Sequence, residues 1–222
     1  MYINLMHMQL SKTIIRNLLF LCLISAPVLG QDVGTVGIRA GYSMPNNLVS
    51  NLVNPGKGIV FQFNSKYFYQ VRGRFSIEYY KYTPSDSVLH TYAIQSSTVQ
   101  AANLSFSKFN SIDACMGLDY TPFQKSIPEL YFGPQLFAGL DNTAYKWVVY
   151  DFFNPYTIND ERFFIHGGIR FHLGYEKAFG NLTVYSEYTF SKTISENYNI
   201  GYTTGNLIIN TNYHQFGLGI RF

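Results

Sequence analysis

The feature that most constrains the fold of this chain is an alternation of apolar and polar side chains, which recurs in eight segments after residue 30. A repeat of two puts the apolar residues on one face of an extended strand and the polar residues on the other. In the first segment, Val36 and Ile38 alternate with Gly37 and Arg39. The eight segments span residues 36–43, 59–64, 74–80, 112–120, 130–140, 165–176, 182–191 and 215–222. The sequence therefore predicts an all-β fold.

Composition indicates which face of these strands points outward. Only 13% of the residues are charged, against about 25% in an ordinary soluble domain. The polar faces carry many Gly, Ser and Thr residues and a nearly matched set of charges: Arg39, Arg74, Arg170 and Arg221 against Glu78, Asp113, Asp119, Glu176 and Glu187. We expect these charges to form an internal network and the apolar face to contact lipid, where an Arg or Lys at mid-depth would cost about 2–4 kcal/mol.

The connections between the segments alternate in length. Short ones are predicted at residues 70–73, 123–128 and 178–181, and long ones at 44–57, 84–109, 142–162 and 193–206. This alternation is typical of an up-and-down antiparallel transmembrane β-barrel with tight periplasmic turns and longer external loops. Residues 92–106 could form another strand; we interpret them as an extension of the second external loop, with a ten-stranded barrel as the alternative to eight strands.

Residues 1–30 have the pattern of a secretory signal peptide. Lys12 and Arg16 form a basic region, residues 18–24 are apolar, and a small residue, Gly30, ends the segment. The apolar stretch is too short to cross about 30 Å of hydrocarbon. Cleavage leaves one barrel domain, residues 31–222, with 14 basic and 13 acidic residues. This near-neutral balance lacks the basic footprint of a nucleic-acid-binding protein, so no nucleic-acid partner is expected.

The last segment carries a more specific resemblance. Phe216, Leu218 and Ile220 alternate toward a terminal Phe222, which resembles the C-terminal signal by which bacterial outer-membrane barrels are recognised for assembly. Together with residues 36–42 and the loops rich in Tyr, Phe and Asn, this makes residues 33–222 similar to the small outer-membrane β-barrel families common in Bacteroidetes, of the PorT-like or OmpA/OmpX-like kind.

This resemblance implies a compartment and partners, but no activity. It implies location in the outer membrane of a Gram-negative cell, contact with outer-membrane lipid, and recognition by the barrel-assembly machinery through Phe222. These families share a barrel rather than a catalytic sequence, and a shared fold does not supply a function.

The lumen of an eight-stranded barrel is just wide enough for side chains to fill. The inward charges therefore indicate either an ion-paired core or a gated conduit. His166 and His172 lie on the same face of one predicted strand and could both face a metal, but without a third ligand we expect them to pack in the lumen. No nucleophile adjoins a base, so the chain is predicted not to be an enzyme, with no catalytic, cofactor-binding or metal site.

The external loop at residues 142–162 is unusually rich in rings and acids: Tyr145, Trp147, Tyr150, Phe152, Phe153 and Tyr156, with Asp151, Asp160 and Glu161. It could bind a protein or glycan partner, cover the barrel mouth, or contribute to an interfacial belt, for which better candidates are Tyr42, Tyr79, Tyr120, Tyr175 and Tyr188. The leading hypothesis is a non-enzymatic outer-membrane barrel acting through its external loops in a structural, adhesive or secretion-accessory role. A narrow channel or carrier for small solutes is the alternative, and a lipid-modifying enzyme is the third.

Overall fold

Nine strands and one short helix are formed by the residues that the computed structural model describes, which are 33–46, 49–95, 98–123, 125–150, 154–196 and 212–222. The strands are β1 (Val33–Asn46), β2 (Val53–Ser65), β3 (Val71–Pro84), β4 (Leu89–Gln95), β5 (Thr98–Tyr120), β6 (Leu130–Tyr150), β7 (Tyr156–Phe179), β8 (Leu182–Glu196) and β9 (Asn212–Arg221), and the helix is α1 (Val49–Leu52). No helix within these ranges is long and apolar enough to cross a membrane. The predicted signal peptide, residues 1–30, lies outside them.

The strands close into an antiparallel barrel. Each wall strand pairs with the next along the chain, β9 returns to pair with β1, and β3 pairs with β5. The closing register places Ile38 opposite Ile220. The short strand β4 pairs with β5 from Leu89–Leu104 to Gln95–Thr98, above the level at which β3 meets β5. The wall therefore has eight strands in up-and-down order, as predicted from the sequence.

Two predicted external loops are largely strand. Residues 92–106 were expected to extend a loop, but residues 92–95 belong to β4 and residues 98–106 to β5. In the second segment, residues 142–150 belong to β6 and residues 156–162 to β7, and the two strands pair up to Val149–Tyr156. Both loop predictions were wrong because each segment folds back into a hairpin, β4 with β5 and β6 with β7, whose pairing supplies the backbone hydrogen bonds that a loop would otherwise have to make. The ten-stranded alternative is also wrong, because β4 adds no strand to the closed wall.

Side chains alternate across the barrel wall as predicted, with apolar residues outward and charged residues inward. Leu218 is 68% exposed, whereas the neighbouring inward residue Arg39 is 1% exposed. Val36, Ile77 and Phe171 also lie on the exposed outer surface. This distribution is the reverse of that in a water-soluble barrel and is the arrangement of a transmembrane β-barrel.

Polar and aromatic residues mark the two edges of this outer apolar belt. At the external edge, outward Lys57 pairs in register with outward Lys81, and Lys192 occupies the equivalent level on β8. The five tyrosines predicted to form the interfacial belt all lie on the outward side of their strands: Tyr42, Tyr79, Tyr120, Tyr175 and Tyr188. The tight turn between β7 and β8 contains Gly180 at φ 63°, a left-handed conformation that glycine adopts without strain.

Candidate functional site: a filled lumen and an external sheet

One buried carboxylate joins strands from different parts of the wall. Glu187 on β8 accepts hydrogen bonds from Arg39 on β1 and from Arg74 on β3, where Arg74 Nη2 lies 2.7 Å from Glu187 Oε1. Tyr131 on β6 donates its hydroxyl to Glu187 Oε2 at 3.0 Å. All four side chains are buried. Four strands are thus tied together across the lumen through a single acidic residue.

A second ionic cluster closes the periplasmic end of the lumen. Glu176 accepts hydrogen bonds from Arg221 and from Arg72, whose Nη2 lies 2.8 Å from Glu176 Oε2. Arg72 Nε also donates to Asp119 Oδ2 at 2.7 Å. The ring of Tyr67 lies 4.7 Å from the Arg72 guanidinium, and partial burial raises the pKa of this tyrosine. The sequence did not predict that Arg72 and Tyr67 belong to this cluster. Arg72 falls within the turn expected at residues 70–73, so its inward direction could not be read from the alternation.

Further up the lumen, Arg170 is surrounded by acceptors. Its Nη2 donates to Asp113 Oδ2 at 2.6 Å, its Nη1 lies 2.9 Å from Glu78 Oε2, and its Nε donates to Ser191 Oγ at 2.7 Å. The buried thiol of Cys115 lies 2.8 Å from Arg170 Nη1. Arg170 on β7 therefore pairs with carboxylates from β3 and β5, as Arg74 on β3 pairs at a lower level with carboxylates from β8 and β5.

The two histidines are held apart by different carboxylates. His166 Nε2 lies 2.6 Å from Asp113 Oδ1, and His166 Nδ1 lies 3.2 Å from Asp141 Oδ2. His172 lies beside Asp119, with Nε2 2.8 Å from Oδ1.

The shared metal that the two histidines could have held is not supported. Inward Arg170 lies between them on β7, and the six residue steps from His166 to His172 span about 20 Å of strand. Within the described ranges, no group of three or more potential ligands is placed to hold a metal ion. The prediction that both histidines pack in the lumen agrees with their buried positions.

We refer to these inward ionic residues together as the ionic lumen. All nine charged residues that the sequence assigned to an internal network take part in its ion pairs, which confirms that prediction. The ionic lumen comprises Arg39, Arg72, Arg74, Glu78, Asp113, Asp119, Asp141, His166, Arg170, His172, Glu176, Glu187 and Arg221.

Above the ionic lumen, the barrel interior is apolar. A cluster of buried side chains, here called the apolar plug, fills the external half: Leu52, Val53, Val60, Tyr80, Tyr82, Ala102, Leu104, Phe106, Phe109, Tyr145, Trp147, Val149, Phe164 and Tyr213. Tyr156 and Ile158 pack against it. Trp147 and Leu104 are opposite each other in the β5–β6 register and are fully buried. The lumen is thus filled at two successive levels, by ion pairs and then by apolar side chains.

The plug changes the interpretation of the ring-rich segment at residues 142–162. Tyr145 and Trp147 point into the barrel and cannot contact an external partner, whereas Tyr150 points outward and is 48% exposed. Covering of the barrel mouth, one of the alternatives drawn from the sequence, therefore describes these inward rings best. Asp151, Phe152 and Phe153 lie outside the described residues.

Strands β4 to β7 continue above the belt as an external sheet, which we define as β4 with residues 98–108 of β5, 142–150 of β6 and 156–163 of β7. Its outward face carries polar groups. His90 Nδ1 lies 2.7 Å from Asn103 Oδ1, and Asn103 Nδ2 donates to the Tyr150 hydroxyl at 2.8 Å. Lys108 donates to Glu161 Oε1 at 2.6 Å, and this hydrogen bond lowers the pKa of Glu161.

Comparison with known proteins yields likenesses among solved structures. The sequence matches no protein-family profile and no curated protein. The crystal structure of Ail, the attachment invasion locus protein of Yersinia pestis, has a TM-score of 0.46 and 13% identity, with 86% of this chain and 100% of that chain covered. Neisserial surface protein A (NspA) has a TM-score of 0.40 and 14% identity, with 84% and 94% covered. A major outer membrane protein from Thermus thermophilus has a TM-score of 0.44 and 10% identity, with 85% and 99% covered.

Proposed function

We propose that this chain is an integral outer-membrane protein that acts at the cell surface through its external sheet, without enzyme activity. The role is structural, adhesive or secretion-accessory. Outer-membrane residence is supported by the height of the apolar belt. On β3 the ten residue steps from Val71 to Lys81 span about 25 Å along the barrel axis, for a rise of about 3.3 Å per residue and a tilt of about 40°. That height matches the apolar band of outer-membrane barrels.

Assembly through the C-terminus forms part of the same proposal. Phe222 is exposed on the outer surface, and its backbone pairs with Val36 at the periplasmic edge of the barrel. An exposed terminal ring at that edge suits recognition by the assembly machinery. Membership of a PorT-like or OmpA/OmpX-like family, and the absence of a nucleic-acid partner, remain part of the proposal.

The filling of the lumen favours this function over a channel. Conduction would require a wet path past both the ionic lumen and the apolar plug, whose Trp147 and Leu104 are fully buried. A lipid-modifying enzyme is also disfavoured, since His166 and His172 contact carboxylates rather than a serine or cysteine nucleophile.

The observation that carries the proposal is the outward face of the external sheet. It lies beyond the lysines at the external edge of the belt and presents hydrogen-bonding groups around the exposed Tyr150 ring. An aromatic ring buries a large contact area at low entropic cost, and the neighbouring amide and hydroxyl groups supply hydrogen bonds. These groups suit a polar partner such as a glycan or a protein surface.

The test uses a photo-reactive residue at Thr157 on the external sheet, in intact cells that express the full chain. We expect cross-links to a surface partner at Thr157, and we expect the combined change of Tyr150→Ala and Asn103→Ala, the hydrogen-bonded pair on the outward face, to remove them. A photo-reactive residue at Lys125, in the predicted periplasmic turn, is the matched control and should not give the same product. The same cross-linked product at both positions would contradict the proposed orientation and function. Equal labelling of positions 157 and 125 in intact cells by a membrane-impermeant reagent would contradict them as well.

A further inference from the structure

An apolar groove of about 370 Å³ runs across the outer wall of the barrel. One side is formed by Met116, Leu136 and Ile169, the other by Pro134, Phe171 and Phe190, and Lys192 stands at one end. Because these side chains point outward from the belt, the groove faces the membrane rather than the lumen.

The strand register gives the direction of the groove. Lys192 is opposite Ile169, Ile169 is opposite Leu136, and Leu136 is opposite Met116. Lys192 lies ten residues above the periplasmic start of β8 at Leu182, whereas Met116 lies only four residues above the periplasmic end of β5 at Tyr120. The groove therefore descends from Lys192 at the external edge toward the middle of the belt.

The groove lies within one membrane leaflet. From β8 to β5 it crosses three strand spacings of about 4.8 Å, or about 14 Å measured across the strands. Because the strands tilt by about 40° from the barrel axis, this line descends about 9 Å, which is less than the half-thickness of about 15 Å of a hydrocarbon core. The upper part of a single acyl chain that starts at the external edge would fit along the groove.

A proline lies at the floor of the groove. The β5–β6 register is the same at Gly117–Gln135 and at Tyr120–Phe132, and Pro134 lies between these pairs. Proline has no N–H to donate and is unusual within a central strand. Its compact ring lies between the larger side chains of Leu136 and Phe171 and keeps the groove open there.

The charge at the upper end of the groove determines which lipid fits. Lys108 is paired with Glu161, but Lys192 has Ile169 and Asn212 as its register neighbours. An ammonium group at the external edge of an apolar groove complements a phosphate above an acyl chain. In the proposed outer membrane, the lipid with phosphates at this level is the phosphorylated glycolipid of the external leaflet, lipid A.

We propose that this groove binds one acyl chain of lipid A, with Lys192 contacting a lipid A phosphate. The inference rests on the proposed outer-membrane location and adds a specific lipid site to it. It does not depend on the external sheet having a partner.

The test counts the lipids that the full barrel retains. The protein is folded into bilayers with equal amounts of lipid A and phosphatidylglycerol, extracted in mild detergent, and weighed by native mass spectrometry. Because both lipids carry phosphate, the retained mass identifies the source. We expect one retained lipid A, with Lys192→Ala lowering its occupancy about fivefold and Ile169→Trp, which fills the groove, lowering it at least as much.

Lys81→Ala is the matched control, because Lys81 lies at the same external edge but outside the groove; it should leave occupancy unchanged. Resistance of the unheated barrel to SDS shows that each variant is folded, and Met116→Trp replaces Ile169→Trp should that variant not fold. The inference would be overturned if the barrel retained phosphatidylglycerol instead of lipid A. It would also be overturned if lipid A occupancy were unchanged in both groove variants, or fell equally in Lys81→Ala. Failure of the cell-surface cross-linking leaves this result intact, and cell fractionation tests the membrane location separately.

Discussion

The ionic lumen and the apolar plug occupy the same barrel, and on β6 they occupy consecutive parts of one strand. Within the belt, β6 turns Gln135 inward and Leu136 outward. Ten residues further up, it turns Tyr145 inward and Lys146 outward. The polarity of the two faces is therefore inverted along an uninterrupted strand. The inversion is the pattern expected where the surroundings of the wall change from lipid beside the belt to water above it.

The two fillings are stabilised by different physical terms. Buried charges are costly unless they are paired, so the ionic lumen stabilises the barrel only as a complete network and specifies strand register through its partners. The apolar plug gains free energy from each buried group, as the core of a soluble domain does. Variants in the two regions should consequently differ in the size of their effect and in their response to salt.

The largest effect is expected for Glu187→Gln. Removing this charge leaves the buried Arg39 and Arg74 without their shared carboxylate. Loss of one partner of a buried pair costs about 3–5 kcal/mol, since an uncompensated charge remains. The free energy of unfolding is measured by urea titration in lipid vesicles. A loss below about 1 kcal/mol would mean that the ionic lumen is hydrated and not a buried network.

A somewhat smaller effect is expected for Leu104→Ala in the apolar plug. The substitution leaves a cavity beside Trp147, and similar changes in protein cores cost about 2–5 kcal/mol. The fluorescence of Trp147, the single tryptophan of the chain, reports on the plug during the same titration. The loss should be equal at low and high salt; a strong dependence on salt would contradict an apolar filling.

A loss of about 1 kcal/mol is expected for Tyr145→Phe, which keeps the ring in the plug but removes its hydroxyl. That hydroxyl donates to Asp160 Oδ2 at 3.0 Å. The variant therefore measures the contribution of the hydroxyl to stability separately from that of the buried ring. If urea titration gave a loss as large as that for Leu104→Ala, the hydroxyl rather than burial of the ring would dominate at this position.

The smallest effect is expected for Glu161→Gln, the exposed counterpart of Glu187→Gln. The pair with Lys108 lies at the surface, where ion pairs contribute little. Because the pKa of Glu161 is lowered, any contribution of the pair is present above the usual pKa of glutamate and is lost as pH falls through the lowered value. Unfolding at neutral pH should match the wild type, and a loss comparable to that for Glu187→Gln would remove the distinction between buried and exposed pairs.

Much of the fold was predictable from local alternation. The eight wall segments and the inward direction of residues such as Arg39, Glu78 and Glu187 follow from a period of two and need no tertiary information. Contacts between side chains on different strands were harder to predict from the sequence. His166 contacts Asp141, which stands near the end of a predicted strand with no local sign of its partner.

The main errors arose where the alternation continues with its polarity inverted. Tyr145, Trp147 and Val149 alternate with Lys146 as regularly as the belt residues do, but apolar side chains were expected to point outward throughout. The inversion itself was the available signal that the strand had left the membrane. The hairpin formed by β4 and β5 had no comparable signal, because its upper part depends on pairing with β6.

The central claim, that apolar side chains face lipid while their neighbours face the lumen, is tested most directly by quenching of tryptophan fluorescence with brominated acyl chains. In a Trp147→Phe background, Phe171→Trp places the probe on the outer wall, and Phe137→Trp places it inside, where the ring at residue 137 packs against Arg170. Strong quenching is predicted at position 171 and little or none at position 137. Equal quenching at both positions, or the reverse order, would contradict the arrangement of the barrel.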